Sequence, residues 1–522
     1  MTRPRPGALQ GTLTMTERIP RRGRDDRRAA RRTRTQAKFP FGPRGIPVTE
    51  MHSAEVLEII EHNAETVLEE IGILFRDDPE ALALWQGAGA DVRGSRVHIP
   101  RGLARKLLKT APREFTVHAR NPARSVIVGG NHTLFSPVGG PPFVRDEAGG
   151  RRYASLADLK NFVCLTQMAP ALQFAGGTMC EPVDIPANVR HLDMQYTHFR
   201  YCDMPCEGTP ENSVNATDAC AMADLLFGEG YLDSHTVLIG NVNSNSPLTF
   251  DSNMSGSLRA FAARGQGVLV VPAVLAGAMG PVTAVGCMTE VLAETLAGMA
   301  LAQIVRPGTP VIMGSFVGAI SMRTGAPTFG TAESTHMIFA TAQLARRLGV
   351  PCRSGGSLCA SKVPDAQAAY ESMQTLFATV MAGVNLATHS AGWLEGGLVA
   401  SYEKFVLDTD QLAIMMHMMR GMDASDSSQA LSAIREVGPG GHFLGCQHTQ
   451  DHYEEAFYQS TCADYSSFEQ WLEEGGRTAA DRAGSVVQRL LAEYEDPGID
   501  AAVDESIKAF MARRRAEIRQ QA

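Results

Sequence analysis

The side chains of this sequence that could do chemistry recur at one kind of place, the few positions that follow a short apolar run. Cys180 and Glu181, Cys206 and Glu207, Asn241, Asn243 and Asn245, Ser315 and Phe316, Ser354 and Ser357, and His389, Trp393 and Glu395 all stand there. His442 and His448 follow in a glycine-rich stretch. The set holds carboxylates, amides and aromatic rings. It lacks a nucleophile paired with an obvious base, which argues against covalent chemistry of the Ser-His or Cys-His kind. Cys202 and Cys206 are spaced C-x3-C, and Cys180, Cys352 and Cys359 also fall near strand ends. No His/Cys cluster has convincing ligand spacing, so no metal is expected.

Each of these residues also has a bland use. Trp393 can pack between a strand layer and an outer helix, and Glu395, just ahead of Gly396 and Gly397, can be a solvated loop residue. Asn241 to Asn245 can cap a helix or satisfy loop backbone. His389 can be a hydrogen-bonded core histidine. Lys362 and Asp365 suit the start of a helix, where a carboxylate in the first turn is favoured by the helix dipole. Sequence alone leaves both uses open.

The elements that position these residues alternate. Candidate strands begin at Leu172, Met204, His235, Gly267, Pro310, Val350 and Asn385, and helical patterns run over 187–199, 211–226, 254–263, 289–305, 332–348, 364–380 and 402–420. Seven strand–helix units in succession predict an α/β fold, a (β/α)8 TIM barrel rather than a doubly wound sheet, and no GxGxxG follows the first strand. The eighth strand is expected near Gly441 to Gln447 or from a segment ahead of Leu172. In a barrel the residues after each strand gather at one mouth. Upstream, His52 to Gly72 is an amphipathic helix with Val56, Ile59, Ile60, Val67, Leu68 and Ile71 on one face, and Phe115 to Phe143 reads as β-rich. The expected organisation is an arginine-rich disordered tail over 1–45, an N-terminal helical and β-hairpin extension over 46–154, the barrel over 155–450 and a C-terminal helical wrap over 451–522.

Ser354 to Tyr370, SGGSLCASKVPDAQAAY, with the later HSAGWLEGG and YEKF and the closing REVGPGGHFLG, resembles the trimethylamine methyltransferase family, the substrate-side proteins of corrinoid-dependent methyl transfer. VLEEIGILFRDDPEAL, HARNPARSVIVGG and RRYASLADLKNF are similar to the same family and fall in the expected order, so the likeness runs from around Ile46 to the C-terminus. Archaeal trimethylamine enzymes carry pyrrolysine in this loop. The matching position falls at or beside Leu358, and this chain has only standard residues there. It therefore resembles the non-pyrrolysine branch, which acts on quaternary amines such as glycine betaine.

The resemblance implies a methyltransferase that moves a methyl group from a quaternary or tertiary methylamine to the Co(I) corrinoid (cobalamin) of a partner protein, with no cofactor held tightly by this chain. A quaternary ammonium already contains its leaving group, a neutral amine, so no proton need be delivered. Positioning is then the main contribution of the polypeptide. Holding a cation calls for aromatic faces, for which Phe316, Trp393, Tyr402 and Phe443 are the candidates, and for nearby negative charge, for which Glu181, Glu207 and Glu395 are, with His389 among the catalytic candidates. Asn241, Asn243, Arg353 or the loop amides up to Ser357 and Leu358 could hold a substrate carboxylate. A betaine-binding barrel without transfer activity, a trimethylamine methyltransferase proper, and a barrel enzyme using folate are the alternatives.

With 48 basic against 56 acidic residues, a formal charge of −8, nothing global argues for nucleic acid. Eleven arginines precede Gln36, with almost no large apolar side chains between them. Such a composition cannot order itself. It reads as a tail, as residues upstream of a later start at Met15, or as an electrostatic dock. No apolar central run marks a signal peptide. The longest uncharged stretch, Gly267 to Thr289, is broken by Pro272, Gly277, Gly280 and Pro281, which suits a buried strand and loop better than a membrane span. Ten cysteines without a secretory signal suggest reduced thiols. The expectation is a soluble cytoplasmic homo-oligomer that touches neither membrane nor nucleic acid.

Overall fold

The computed structural model describes residues 41–146 and 148–521. The arginine-rich stretch up to residue 40, Met15 included, lies outside the described residues.

The runs VLIGNV, VLVV and VIM are apolar on alternate and intervening positions alike, so they need cover on both faces. They form the middle of a parallel seven-strand run within a nine-stranded sheet. Its spatial order is Cys206–Gly208, Leu238–Ser244, Gly267–Ala276, Val311–Gly314, Cys352–Arg353, Leu386–Ala387 and Leu134–Phe135. Val242 pairs with Val270, Leu269 with Ile312, and Leu386 with both Arg353 and Leu134. The remaining two strands branch from the carboxyl-terminal part of the central strand Gly267–Ala276: Phe316–Ile320 runs parallel to residues 273–276 and folds back on Pro327–Thr328.

Six of the seven parallel strands fall in the predicted runs. The seventh, Leu134–Phe135, comes from the β-rich stretch upstream. The alternative near Gly441 to Gln447 is corrected: a 3-10 turn, Phe443–Gly445, and a short helix, Gln447–His452, stand there. The run from Leu172 forms no regular strand either. Its backbone nevertheless bonds to both sides: Gln173 and Phe174 N–H donate to Phe135 O at 3.2 and 3.3 Å, Ala175 N–H donates to Pro205 O at 2.8 Å, and Gly176 O accepts from Glu207 N–H at 2.9 Å.

The intervening helices start and stop where the chain supplies caps. Ala332–Leu348 opens on a Thr331/Ser334 capping box and closes on left-handed Gly349; Ala366–Ala382 opens on Asp365, whose side chain accepts from Ala368 N–H. Ala284–Val305 is long and apolar enough to cross a membrane by length and composition, but 83% of its apolar window is buried against the sheet and the helix Ala54–Thr66. A helix apolar on every face is a core helix here.

On one face of the sheet, Leu134, Phe174, Ile239, Leu269, Val271, Ile312 and Leu386 form one cluster with Val117, Val126 and Val128. The last three belong to a hairpin, Glu114–Val117 with Val126–Gly129, that covers the N-terminal ends of the strands. His118 N–H donates to Thr236 O at 2.8 Å, two residues before Leu238–Ser244 begins. That end is closed by apolar packing, and the carboxyl ends are left for the site.

Candidate functional site

Strand side chains alternate faces, so the residue two beyond an interior one looks the same way. Ile239 belongs to that cluster; Asn241 therefore faces the same side at the next level, and Asn243 the level beyond. The Asn241 side chain hydrogen-bonds the Glu207 carboxylate from the neighbouring strand, and its Oδ1 is left without a partner among the described residues. Burial pushes the Glu207 carboxyl up to about 7, opposed first by the charge of Arg353 and then by the Asn241 hydrogen bond.

Arg353 is a fully buried guanidinium, 2% exposed. Its Nη1 donates to Ser315 O at 2.6 Å and its Nη2 to His389 Nε2 at 2.7 Å, while its Nε has no hydrogen-bond partner among the described residues. Burial lowers its pKa to about 10, and Glu207 works against that shift. His389 also accepts from Gly139 N–H at Nδ1, 3.1 Å away. A neutral imidazole has one acceptor nitrogen, so one of these two donors is in surplus. Burial, then the charge of Arg353, holds the His389 pKa well below its ordinary value, and the ring stays uncharged.

Around this pair four rings meet. His389 and Trp393 lie 4.4 Å apart between centroids, Phe316 and Phe329 5.4 Å, Phe316 and Trp393 5.5 Å, Phe316 and His389 5.6 Å, and Phe329 and Trp393 6.2 Å. The Arg353 guanidinium stands 6.0 Å from the Phe316 centroid. Trp393 and Phe329 are buried, whereas Phe316, His389, Asn241 and Glu207 each keep part of their surface open. Trp393 Nε1, like Arg353 Nε, is a buried donor without an acceptor among the described residues.

Two loops carry the rings, and buried polar groups tie them together. Lys404 Nζ donates to both oxygens of Asp408 at 2.6 and 2.7 Å and to Ser372 Oγ at 2.8 Å; Asp408 accepts from Gly392 N–H at 2.9 Å. Cys359 Sγ donates to Trp393 O at 3.1 Å, and Ser357 Oγ donates to Ser390 O at 2.9 Å. Gly356, at φ +111°, lies so close to Thr388 O that a Cβ would collide with it, and Gly397, at φ +103°, lies as closely over the Trp393 ring.

Among the predicted site residues, Phe316, Arg353, Trp393, His389, Asn241 and Glu207 come together. Ser357 and Leu358 are buried in the loop beneath, Leu358 N–H donating to Thr375 Oγ1, so they support the site. Asn243 is exposed further along its strand. Glu395 sits beside the rings through Gly396 but is paired with Arg151 at 3.2 Å. Three placements are corrections. Tyr402 stacks on Phe162 and donates to Asp158 at 2.8 Å, because as the first residue of its helix it turns toward Leu156–Met168. Glu181 pairs with Arg190 at 3.2 Å and lines a different cleft of about 570 Å³, with Asn188 and His191. Phe443 is 45% exposed in the short turn after His442. Sequence reasoning missed Phe329. The turn residues Thr324, Gly325 and Pro327, between two aromatic positions, were the signal for the fold-back that brings it onto Phe316.

The family described as "Trimethylamine methyltransferase (MTTB)" matches residues 20–519, and the chain belongs to it. A glycine betaine methyltransferase of Desulfitobacterium hafniense is 40% identical over 474 residues, 91% of this chain and 98% of that protein. A proline betaine:corrinoid methyltransferase of Eubacterium limosum is 26% identical over 88% of this chain and 96% of that one. Among solved structures, the monomethylamine methyltransferase of Methanosarcina barkeri superposes with a TM-score of 0.50 over 90% of this chain and 98% of that one, at 9% identity, a likeness of fold alone.

Proposed function

We propose that this chain removes a methyl group from a quaternary amine that also bears a carboxylate, of the glycine betaine type, and passes it to the corrinoid of a partner protein. The observation that carries this reading is the four-ring cluster of Phe316, Phe329, His389 and Trp393 around a buried guanidinium with an unpaired Nε. Ring faces attract a trimethylammonium group by about 0.5–2 kcal/mol each. Arg353 Nε, Trp393 Nε1 and the surplus donor at His389 lack an acceptor, which a carboxylate supplies. The relatives that act on glycine betaine and proline betaine support the same substrate class.

The division of labour follows from the groups present. Neutral His389 offers its ring to a cation without repelling it, and Glu207 balances the charge of Arg353. When the C–N bond breaks, its electron pair stays on nitrogen, so no residue has to move a proton. A reduced corrinoid supplies the nucleophile, a cobalt electron pair. The site suits that group by an opening rather than by ligands: Phe316 and His389 keep part of their surface accessible, so a held methyl can be reached from outside.

The same reading takes the sheet as closed into a (β/α)8 barrel, with residues 172–177 as the eighth stave, supported by their backbone bonds to Phe135, Pro205 and Glu207. Because Leu134–Phe135 is part of that sheet, the extension over 46–154 and the barrel fold as one body. The ten cysteines, all unpaired and buried, support a cytoplasmic setting. Pure protein, a Co(I) corrinoid protein and a panel of glycine betaine, proline betaine, carnitine, choline and trimethylamine test the proposal by loss of Co(I) absorbance. Carboxylated quaternary amines should react fastest; no loss with any quaternary amine overturns it.

A further inference from the structure

The cleft lined by Glu181 stands apart from the rings. It has a volume of about 570 Å³ and lies at the N-terminal ends of the helices Arg190–Tyr201 and Ser213–Phe227, with Ile518 of the C-terminal helix Ala501–Gln521 on its wall. Asn188 and Glu211 are exposed at its rim, whereas His191 is 1% exposed. His191 Nε2 faces Asp218 Oδ2 at 3.0 Å, and Arg514 Nε donates to the other Asp218 oxygen at 2.7 Å. Burial works against charge on Asp218, but the hydrogen bonds from His191 and Arg514 outweigh it and hold its pKa below the ordinary value. A carboxylate only accepts, so in the neutral ring the proton sits on Nε2. Nδ1, buried and without a partner among the described residues, then keeps an open lone pair. Arg190 shows the complementary need: its Nη1 donates to Glu181 at 3.2 Å, while its buried Nε has no acceptor among the described residues. The helix that Arg190 opens has no side-chain cap either, because Val189 stands at its N-cap.

We propose that this cleft is a second binding site, for a small amino acid that carries at least one hydrogen on its nitrogen. N,N-dimethylglycine, the amine left when glycine betaine gives up one methyl, is such a ligand, and the choice of that amine rests on the reaction proposed above. The lone pair at His191 and the Glu211 carboxylate call for a positively charged N–H donor, which a protonated tertiary amine has and a quaternary one lacks. Arg190 Nε and the uncapped helix start call for a carboxylate. Met194, Val214 and Ile518 supply apolar wall for N-methyl groups. The preference is the reverse of the one at the rings, where aromatic faces suit a cation without N–H. One strip of backbone serves both places: Gly139 N–H donates to His389 Nδ1, and Gly140 N–H donates at 2.6 Å to the carbonyl of Thr178, which lines the cleft.

Calorimetric titration of the full-length protein, first saturated with glycine betaine, tests the cleft with N,N-dimethylglycine as the probe. One further equivalent should bind, whereas more glycine betaine in its place should give no second binding heat. Glu211→Gln, on the exposed rim, should weaken the dimethylglycine about two- to fivefold, and His191→Gln by a factor of about ten or more, with glycine betaine affinity unchanged in both. Should His191→Gln fail to fold, Glu211→Gln decides. Loss of the dimethylglycine heat under saturating glycine betaine overturns the proposal, because the two then share the ring site. An affinity that Glu211→Gln leaves unchanged overturns it as well. A parent that binds no glycine betaine refutes the reading of the rings alone, and dimethylglycine binding in parent against Glu211→Gln still judges the cleft.

Discussion

Replacing Phe316 by leucine separates what its ring does electrostatically from what it does by filling space. The ring meets Phe329, His389 and Trp393 within 5.6 Å and is half-buried at the carboxyl end of the sheet. Leucine keeps most of the volume, so the fold should lose less than about 1.5 kcal/mol. The ring face, however, is gone. If it holds a trimethylammonium group, about 0.5–2 kcal/mol of binding goes with it, a two- to thirtyfold weaker Kd for glycine betaine at about 1.4 kcal/mol per decade. The assay is calorimetric titration with glycine betaine and, in parallel, with 3,3-dimethylbutanoate, in which carbon replaces the charged nitrogen at the same shape. Only the betaine should weaken by that factor, so the preference for the cation should shrink. Equal weakening of both ligands would mean that Phe316 serves packing alone, and the cage would be refuted.

Four further outcomes follow from named groups. Glu207 titrates at about 7 in the folded chain against an ordinary value of 4.5, so between those pH values the folded state binds more protons than the unfolded one; stability should fall as pH rises through that window, and urea melts of Glu207→Gln should be flatter across it. A bound cation favours the ionised form of the same carboxylate, so betaine binding near pH 6.5 should release protons in the parent, measured from the buffer dependence of the calorimetric heat, and not in Glu207→Gln. Asp408→Asn leaves the Lys404 charge buried without its partner and should cost about 3–5 kcal/mol in denaturant melts, with near-UV dichroism of Trp393 altered in the folded fraction. Tyr402→Phe should cost about 1–3 kcal/mol in stability through the lost bond to Asp158 while leaving betaine affinity unchanged.

The helices and most strands of the main sheet were legible because glycine, proline and capping residues punctuate them: Thr331 and Gly349 bracket one helix, Asp365 and Gly383 the next. That Arg353, His389 and Trp393 stand beside one another was legible because strand ends gather in parallel α/β folds. Tyr402 was not, since a residue at the first turn of a helix can face either the strands or a neighbouring helix, and only the packing of Phe162 decides. Leu134–Phe135 is two residues long, with too little alternation to announce a strand, and its place is set by Leu386 and Ala387 more than 250 residues away. Phe329 reaches the rings through an antiparallel fold-back that strand–helix counting does not anticipate.

On the barrel proposed above, the hairpin of residues 114–117 and 126–129 makes the interior a dead end. On the proposed reaction, amine and partner protein then share a single doorway, which fixes the order of events. Glycine betaine must load before the partner seats, and the demethylated amine stays until the partner lifts away. A partner that settles over an empty pocket shuts substrate out, so an excess of corrinoid protein becomes an inhibitor of the transfer it serves.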